Sequence, residues 1–566
     1  MADLKQNSDA HDAHHELEQA NGSIHAPLLV PIFRRIWLAS LISNLGILIL
    51  SVGAAWTMVR LDGEPQLVAL VQTALMLPIL CIAMPAGALA DMFDRRKIGL
   101  IALGVSFTAS CVLTGLAFTE NLTPFSLLFF CFVIGGGMAL FGPSWQASVP
   151  EQVPPAVLPQ AVALNAISYN IARSFGPAVG GIIVATAGAV AGFATTAICY
   201  IPLLAVLFLW RREAQTSRLP PERIWSAIMA GGRYILHAPP AKMVLLRTFA
   251  LGLAGGSISS LMPLVAHDLL EGTARTYGLI LGAFGTGAVI GAMNVGRIRE
   301  RFGSENTISL SALVLSGCIA IVAVSHWFVL TMAALVIAGA VWTGAVTLFN
   351  VNMQLSVPRW ITGRALAAYQ ASIAGGIAIG SWLWGSLAED TSVSAALIVS
   401  AATIAATTLL RYTWRLPDVT GAGLHEVRAG EMNVALDLTG RSGPINIELD
   451  YIVDRDDARA FFRAMQEVRP LRRRNGAYDW SLARDIADPR VWTERFSCPT
   501  WHDYLRMRDR NTQQEVAILD AAFAFHRGDT IIIRRRLERP LGSVRWRAET
   551  RDQGLRGMAT IPPSSP

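Results

Sequence analysis

Twelve apolar stretches, each of bilayer-crossing length, lie between residues 36 and 411, some parted by short polar intervals and some abutting without a long loop. A helical span needs roughly 20 apolar residues. The stretches fall near 36–59, 66–90, 97–118, 123–145, 158–185 and 190–210, then near 244–267, 276–296, 306–326, 328–352, 364–387 and 392–411. A polar interval, 211–243, divides them six and six. It opens basic and breaks at Pro220 and Pro221, after which Ile224, Trp225, Ile228 and Met229 recur at helical spacing. That spacing predicts an amphipathic helix, either lying on the inner leaflet or packed on the spans as a connector.

After Arg415 the pattern becomes that of a soluble protein. Ile445, Ile447, Leu449 and Tyr451 alternate with polar residues, which predicts a half-buried strand. Asp456–Val468 has helical spacing, and Arg474-Asn-Gly476 is a turn signal. Tyr478, Trp480 and Leu482 form a second strand, and Val491–Phe496 a third. Trp501–Arg510 and Gln513–Phe523 read as helix, and Ile531–Ile533 as a last strand. The order β-α-β-β-α-β is the ferredoxin-like arrangement.

Composition agrees with a chain mostly in lipid. Only 16% of the 566 residues are charged, and mean hydropathy is +0.42. The net charge of +6 reflects basic loops, not nucleic-acid binding. Counted span by span, one side receives Arg34, Arg35, Arg95, Arg96, Lys97, the arginines of 211–243, Arg297, Arg299, Arg301, Arg359 and Arg364. The other receives little beyond Arg60 and Arg275. Both termini are therefore expected in the cytoplasm. The six cysteines form no disulfide framework, and His11, His14 and His15 sit in a polar N-terminal segment with nothing to complete a metal site. No metal and no cofactor are expected.

The halves repeat. Gly87-Ala-Leu-Ala-Asp91 has a counterpart in Gly296-Arg-Ile-Arg-Glu300, and Gln146-Ala-Ser-Val-Pro150 in Gln354-Leu-Ser-Val-Pro358, at offsets of 209 and 208. A parallel repeat places the substrate path between two bundles. Gly87-x-Leu-Ala-Asp91 followed by Arg95 and Arg96 resembles the signature loop of the major facilitator superfamily of transporters. Arg173-Ser-Phe-Gly176-Pro177-Ala-Val-Gly180-Gly181 is similar to the signature of its antiporter-type exporters. Phe33-Arg-Arg-Ile-Trp37, Pro143-Ser-Trp-Gln146, Tyr277-Gly278 and Ala367-Ala-Tyr369-Gln370 extend the resemblance to the transmembrane secretion effector subgroup, which includes the enterobactin exporter. The tail, with Trp480, Trp492 and Trp501, resembles the dimeric α/β-barrel family.

The resemblance implies a 12-helix membrane protein of two six-helix bundles plus a soluble α+β ferredoxin-like domain. It implies efflux of a small organic molecule, siderophore-like compounds included, across a bacterial inner membrane by alternating access, with a proton gradient as driving force. Import and a non-transporting membrane anchor are the alternatives. The expected boundaries are a disordered 1–30, bundles at 31–210 and 244–412, linkers at 211–243 and 413–440, the tail domain at 441–540 and a disordered 541–566.

Asp91, Arg95 and Arg96, with Gly87 and the weaker counterpart Glu300, are expected to form a cytoplasmic latch. Arg173 lies too deep to reach the membrane surface, and either meets an anionic substrate group or holds carbonyls freed at Pro177. No carboxylate lies deep in a span, so no coupling site is legible. The acidic residue that many exporters of the superfamily carry in the first span is missing, as is the arginine in the fourth. Asn44, Asn165, Tyr169, Asn170, Asn350, Tyr369 and Gln370 are the candidate cavity residues, although hydrogen bonding between helices is the commoner use of such groups. The tail shows no nucleophile–base pair, which favours a binding module over an enzyme. Its single sheet predicts an apolar face that a second copy would cover, hence a possible homodimer.

Overall fold

A computed structural model describes residues 25–61, 63–154, 157–210, 224–416 and 438–538, with 432 and 434–436. The N-terminal histidines, Pro220, Pro221, most of 413–440 and all of 541–566 lie outside the described residues.

Among the described residues, ten helices are long and apolar enough to cross a membrane. They are α1 (Pro31–Leu61), α2 (Pro65–Met92), α3 (Arg95–Phe118), α4 (Pro124–Ser148) and α5 (Leu158–Leu209), followed after the connecting helix α6 (Ile224–His237) by α7 (Pro239–Ser260). A short turn of helix and a π turn (Val265–Leu269) extend α7. Then come α8 (Ala274–Val324), α9 (Phe328–Leu355), α10 (Thr362–Asp390) and α11 (Val393–Ala406), which two further helical turns extend to the span Val393–Thr413. Two are of double length. The backbone leaves the helix at Gly188 in α5 (φ 81°) and at Gly303 in α8 (φ 76°), where only glycine is unstrained. Each therefore holds two spans, and the ten helices make the twelve expected crossings.

The ends are set by local chemistry. Pro65 and Pro124 stand in the first turns of α2 and α4, where the missing N–H costs nothing. Asp94 caps α3 by accepting from the Arg96 N–H, and Thr123 and Ser126 form a reciprocal capping pair before α4.

The chain forms two compact units. The first holds every span, and the second holds 229–242, 355–362 and 419–566. In the second, β1 (Ile445–Ile452), α12 (Ala458–Arg474), β2 (Tyr478–Arg484), β3 (Val491–Cys498), α13 (Trp501–Asp509), α14 (Gln513–Phe523) and β4 (Ile532–Leu537) follow the expected order. The strands lie β2-β3-β1-β4, all neighbours antiparallel, with Ile447 opposite Phe496. Ile445, Ile447, Leu449 and Tyr451 face a core with Phe461, Met465, Val468 and Phe496. Within it the fully buried Glu494 accepts from Arg472, Trp480 and Tyr451, each at 3.0 Å.

Two expectations change. The helix read to Val468 continues to Arg474, because a proline past the first turn, Pro470, is tolerated where Leu471 and Arg472 are held in the core. The sheet face expected to be apolar is charged: Glu448 pairs with Arg536 and Asp450 with Arg534, cross-strand neighbours whose side chains all point away from the helices.

Candidate transport path and gate

Gly87 and Asp91 end α2, and Arg95 and Arg96 open α3. The Asp91 side chain lies outside the described residues. Both arginines are engaged within their own half. Arg95 meets Glu151 at 2.8 Å, and Arg96 donates Nε–H to the Leu207 carbonyl at 2.8 Å and a second bond to the Phe208 carbonyl. Arg96 thus takes up carbonyls that the last turn of α5 leaves without helical partners. A Cβ on Gly87 would lie 3.7 Å from Ala367 of the other half, an ordinary contact. Glu300 is exposed.

The glycines of the Pro177 segment face two neighbours. A Cβ on Gly176 would come within 2.8 Å of Leu48, and one on Gly180 within 3.0 Å of the Ile49 backbone, both on α1 of the same half. Gly181 faces the other half, where a Cβ would sit 2.6 Å from the Gly278 Cα. Two turns away, the Ser174 hydroxyl donates to the Gly285 carbonyl at 3.0 Å. Trp56 stacks on Tyr277, with centroids 6.4 Å apart. Gln66 meets Ser386 at 3.2 Å, and Thr73 donates to the Ala378 carbonyl at 2.8 Å. The contacts of Gly181, Ser174, Trp56, Gln66 and Thr73 join the halves away from the basic loops, so that end of the bundle pair is packed shut.

Arg173 stands over the Phe284 ring of the other half, 5.7 Å from its centroid. The contact is a cation–π pair across the interface. Phe284 was not singled out from the sequence, because nothing in the Gly282-Ala-Phe-Gly285 segment marks an aromatic partner.

The cavity candidates separate. Tyr369 is buried and donates to the Val346 carbonyl at 2.7 Å, and Asn350 accepts from Gln354 at 2.6 Å. Both are structural hydrogen bonds within one half. Gln370 and Tyr169 are exposed, Asn44 is half-buried, and the Asn170 side chain lies outside the described residues. Asn165 differs. Both its amide atoms are buried without a hydrogen-bond partner among the described residues, and so is the Ser168 hydroxyl one turn away. Leaving such groups unsatisfied costs about 1–3 kcal/mol each.

Residues 22–540 match the transmembrane secretion effector family. The chain belongs to that family. Among its relatives, the staphyloferrin A transporter of Staphylococcus aureus is 24% identical over 332 residues, 58% of this chain and 83% of that protein. The multidrug efflux pump Tap of Mycolicibacterium fortuitum is 25% identical over 385 residues, 66% and 91% of the two chains. The enterobactin exporter EntS of Shigella boydii is 28% identical over 370 residues, 63% and 85%. The nucleoside transporter NupG superposes with a TM-score of 0.57 at 12% identity, over 68% of this chain and 99% of that one. A bacterial homologue of ferroportin in an inward-facing state gives 0.53 at 15% identity, over 68% and 99%. The fold is that of the major facilitator superfamily. This secretion effector is a multi-pass secondary transporter that exports small organic molecules.

One ion pair of the effector was missed from sequence. Arg247 in α7 meets both Glu305 oxygens, at 2.8 and 2.7 Å, and Glu305 also accepts from the Leu416 N–H at 3.1 Å. The signal was present in the repeat, since Glu305 stands 305 − 96 = 209 positions after Arg96, the offset of the signature loops.

Proposed function

We propose that this effector exports a polar, hydrogen-bonding organic molecule from the cytoplasm across a bacterial inner membrane by alternating access, with the proton gradient as the driving force. Asn165 carries the reading. Its donor and acceptor, beside the Ser168 hydroxyl, suit the hydroxyl, amide or carboxyl groups of compounds such as staphyloferrin A and enterobactin, which the relatives' names give. The contacts of Ser174, Gly181 and Thr73 support closure of the periplasmic end, and the basic loops support cytoplasmic termini. Asp91, with Arg95 and Arg96 fastened to their own half, forms the cytoplasmic latch of the opposite state, and Asp91→Asn should lower turnover while leaving membrane insertion intact. The C-terminal domain is a binding module rather than an enzyme. A homodimer through its sheet face would bring the Glu448–Arg536 and Asp450–Arg534 pairs of two copies together.

Deleting the gene tests the export reading. Retention of the substrate should rise, wild-type protein should restore export, and Asn165→Leu at equal membrane abundance should not. Unchanged retention across a broad metabolite and drug panel would contradict export, and full rescue by Asn165→Leu would move the site elsewhere.

A further inference from the structure

The corner between α13 and α14 takes part in two constructions within the second unit. The first is a cavity of about 160 Å³ between the sheet and the helices, which Arg508 and Asn511 help to line. Ile447, Leu449 and Phe496 give it an apolar floor. Among the described residues, its polar lining is three guanidiniums, Arg472, Arg508 and Arg535, with Asn511 and the Tyr504 hydroxyl, and no carboxylate. Arg472 is matched by Glu494 behind it. Arg535 donates to the Tyr504 hydroxyl at 2.8 Å, which fixes its guanidinium across the opening from β4. An apolar floor under guanidiniums from separate elements suits a small organic anion with an apolar body.

The second construction is an aromatic clasp. Between Arg508 and Asn511, the Arg510 guanidinium lies 3.9 Å from the ring centroid of Trp360. Trp360 meets Tyr234 edge-on, with centroids 5.5 Å apart. Arg474 lies over the other ring, 5.3 Å from the Tyr234 centroid, and is ion-paired with Glu515 of α14. Asn475 joins the two constructions by bonding Asn511 and Glu515, both at 3.3 Å. Trp360 lies in the connection between spans ten and eleven, and Tyr234 in α6, which joins the two bundles. Burial holds the Tyr234 phenol above its ordinary pKa, with Arg474 opposing, so the ring stays neutral under its cation.

We propose that the C-terminal domain is a receptor for a small apolar-bodied organic anion, and that occupancy of its cavity is relayed through Arg510 and Asn511 to Trp360 and Tyr234. The transporter would thereby sense an intracellular anion on the two connections that its halves share with the domain.

Equilibrium dialysis of the purified full-length protein with benzoate tests the receptor, and neither this arm nor the next depends on transport. Binding should saturate near one per chain with a Kd below about 1 mM. Arg535→Ala and Arg508→Ala should each weaken it about tenfold, and neutral benzamide should bind about tenfold less well. In the same samples, benzoate should slow hydrogen exchange in 229–242 and 355–362. Trp360→Ala should keep benzoate binding and lose that protection. Absent saturation up to about 10 mM, equal binding of benzamide, or indifference to both arginine variants would overturn the receptor. Binding with no change in exchange at those two segments would overturn the relay.

Discussion

Arg96 and Glu305 occupy the same place in the two repeats and carry opposite charge. Each ties the first turn of a third span to the end of a sixth: Arg96 takes the Leu207 and Phe208 carbonyls, and Glu305 takes the Leu416 N–H. The acidic version needs a counter-charge, which Arg247 supplies with only 3% of its side chain exposed. Removing one member of so buried a pair strands the other, at a cost of about 3–5 kcal/mol. Glu305→Gln should therefore lower the melting temperature of the purified protein well below that of an exposed control such as Glu300→Gln. Arg247→Leu combined with Glu305→Leu should recover most of the loss, and equal melting of all variants would show the pair to be idle. At the same scale, burial, with Asp503 adding to it, pushes the Cys498 thiol up to about 12. Its thiolate fraction at pH 8 is then about 10⁻⁴, so peptide mapping after iodoacetamide treatment of the folded protein should find Cys498 unmodified. Rapid labelling there would show that the core of the C-terminal domain opens.

At the scale of elements, the spans were legible because a bilayer demands long apolar runs; the bend at Gly303 lies in the polar segment 297–306, whereas the bend at Gly188 lies in an apolar run too long for one crossing. The tail strands were legible from alternation, since one face is core and the other is wet. What alternation could not tell was how that wet face is built. Glu448, Asp450, Arg534 and Arg536 read separately as exposed charges, and only the β1–β4 register makes them pairs. The Gly176–Gly181 segment was recognised as a packing face, yet its division between α1 and α8 follows from three-dimensional rotation of the helix, which spacing alone does not orient. Within that segment, Gly181 makes the closest approach to the other half. A larger residue there cannot be placed without separating α5 from α8, because the obstacle is the Gly278 backbone, not a movable side chain. Gly181→Val should therefore favour the state open at that end. Spin labels at Arg60→Cys and Arg275→Cys, in a background without the native cysteines, should move apart in the variant. An unchanged distance distribution would show that this contact does not hold the end closed.

For the whole molecule, the two-bundle plan followed from a repeat that sequence displays twice at nearly one offset. The candidate site was less legible. Seven polar residues qualified by position. The structure accounts for Tyr369 and Asn350 as internal hydrogen bonds and leaves Asn165 with neither donor nor acceptor matched among the described residues. Unsatisfied groups are a property of the packed state, so no pattern along the chain could have ranked them. The aromatic clasp was hidden for the same reason, since Tyr234, Trp360, Arg474 and Arg510 are far apart in sequence and meet only on folding. The account rests on outward movement of a polar compound through the path beside Asn165. Uptake into inside-out membrane vesicles carrying an imposed acid-inside gradient measures that directly. The account predicts that such vesicles accumulate the substrate, that a protonophore abolishes the accumulation, and that Asn165→Leu vesicles with equal protein content show little of it. Accumulation by right-side-out vesicles instead, or none by either across a broad panel of metabolites and drugs, would contradict it.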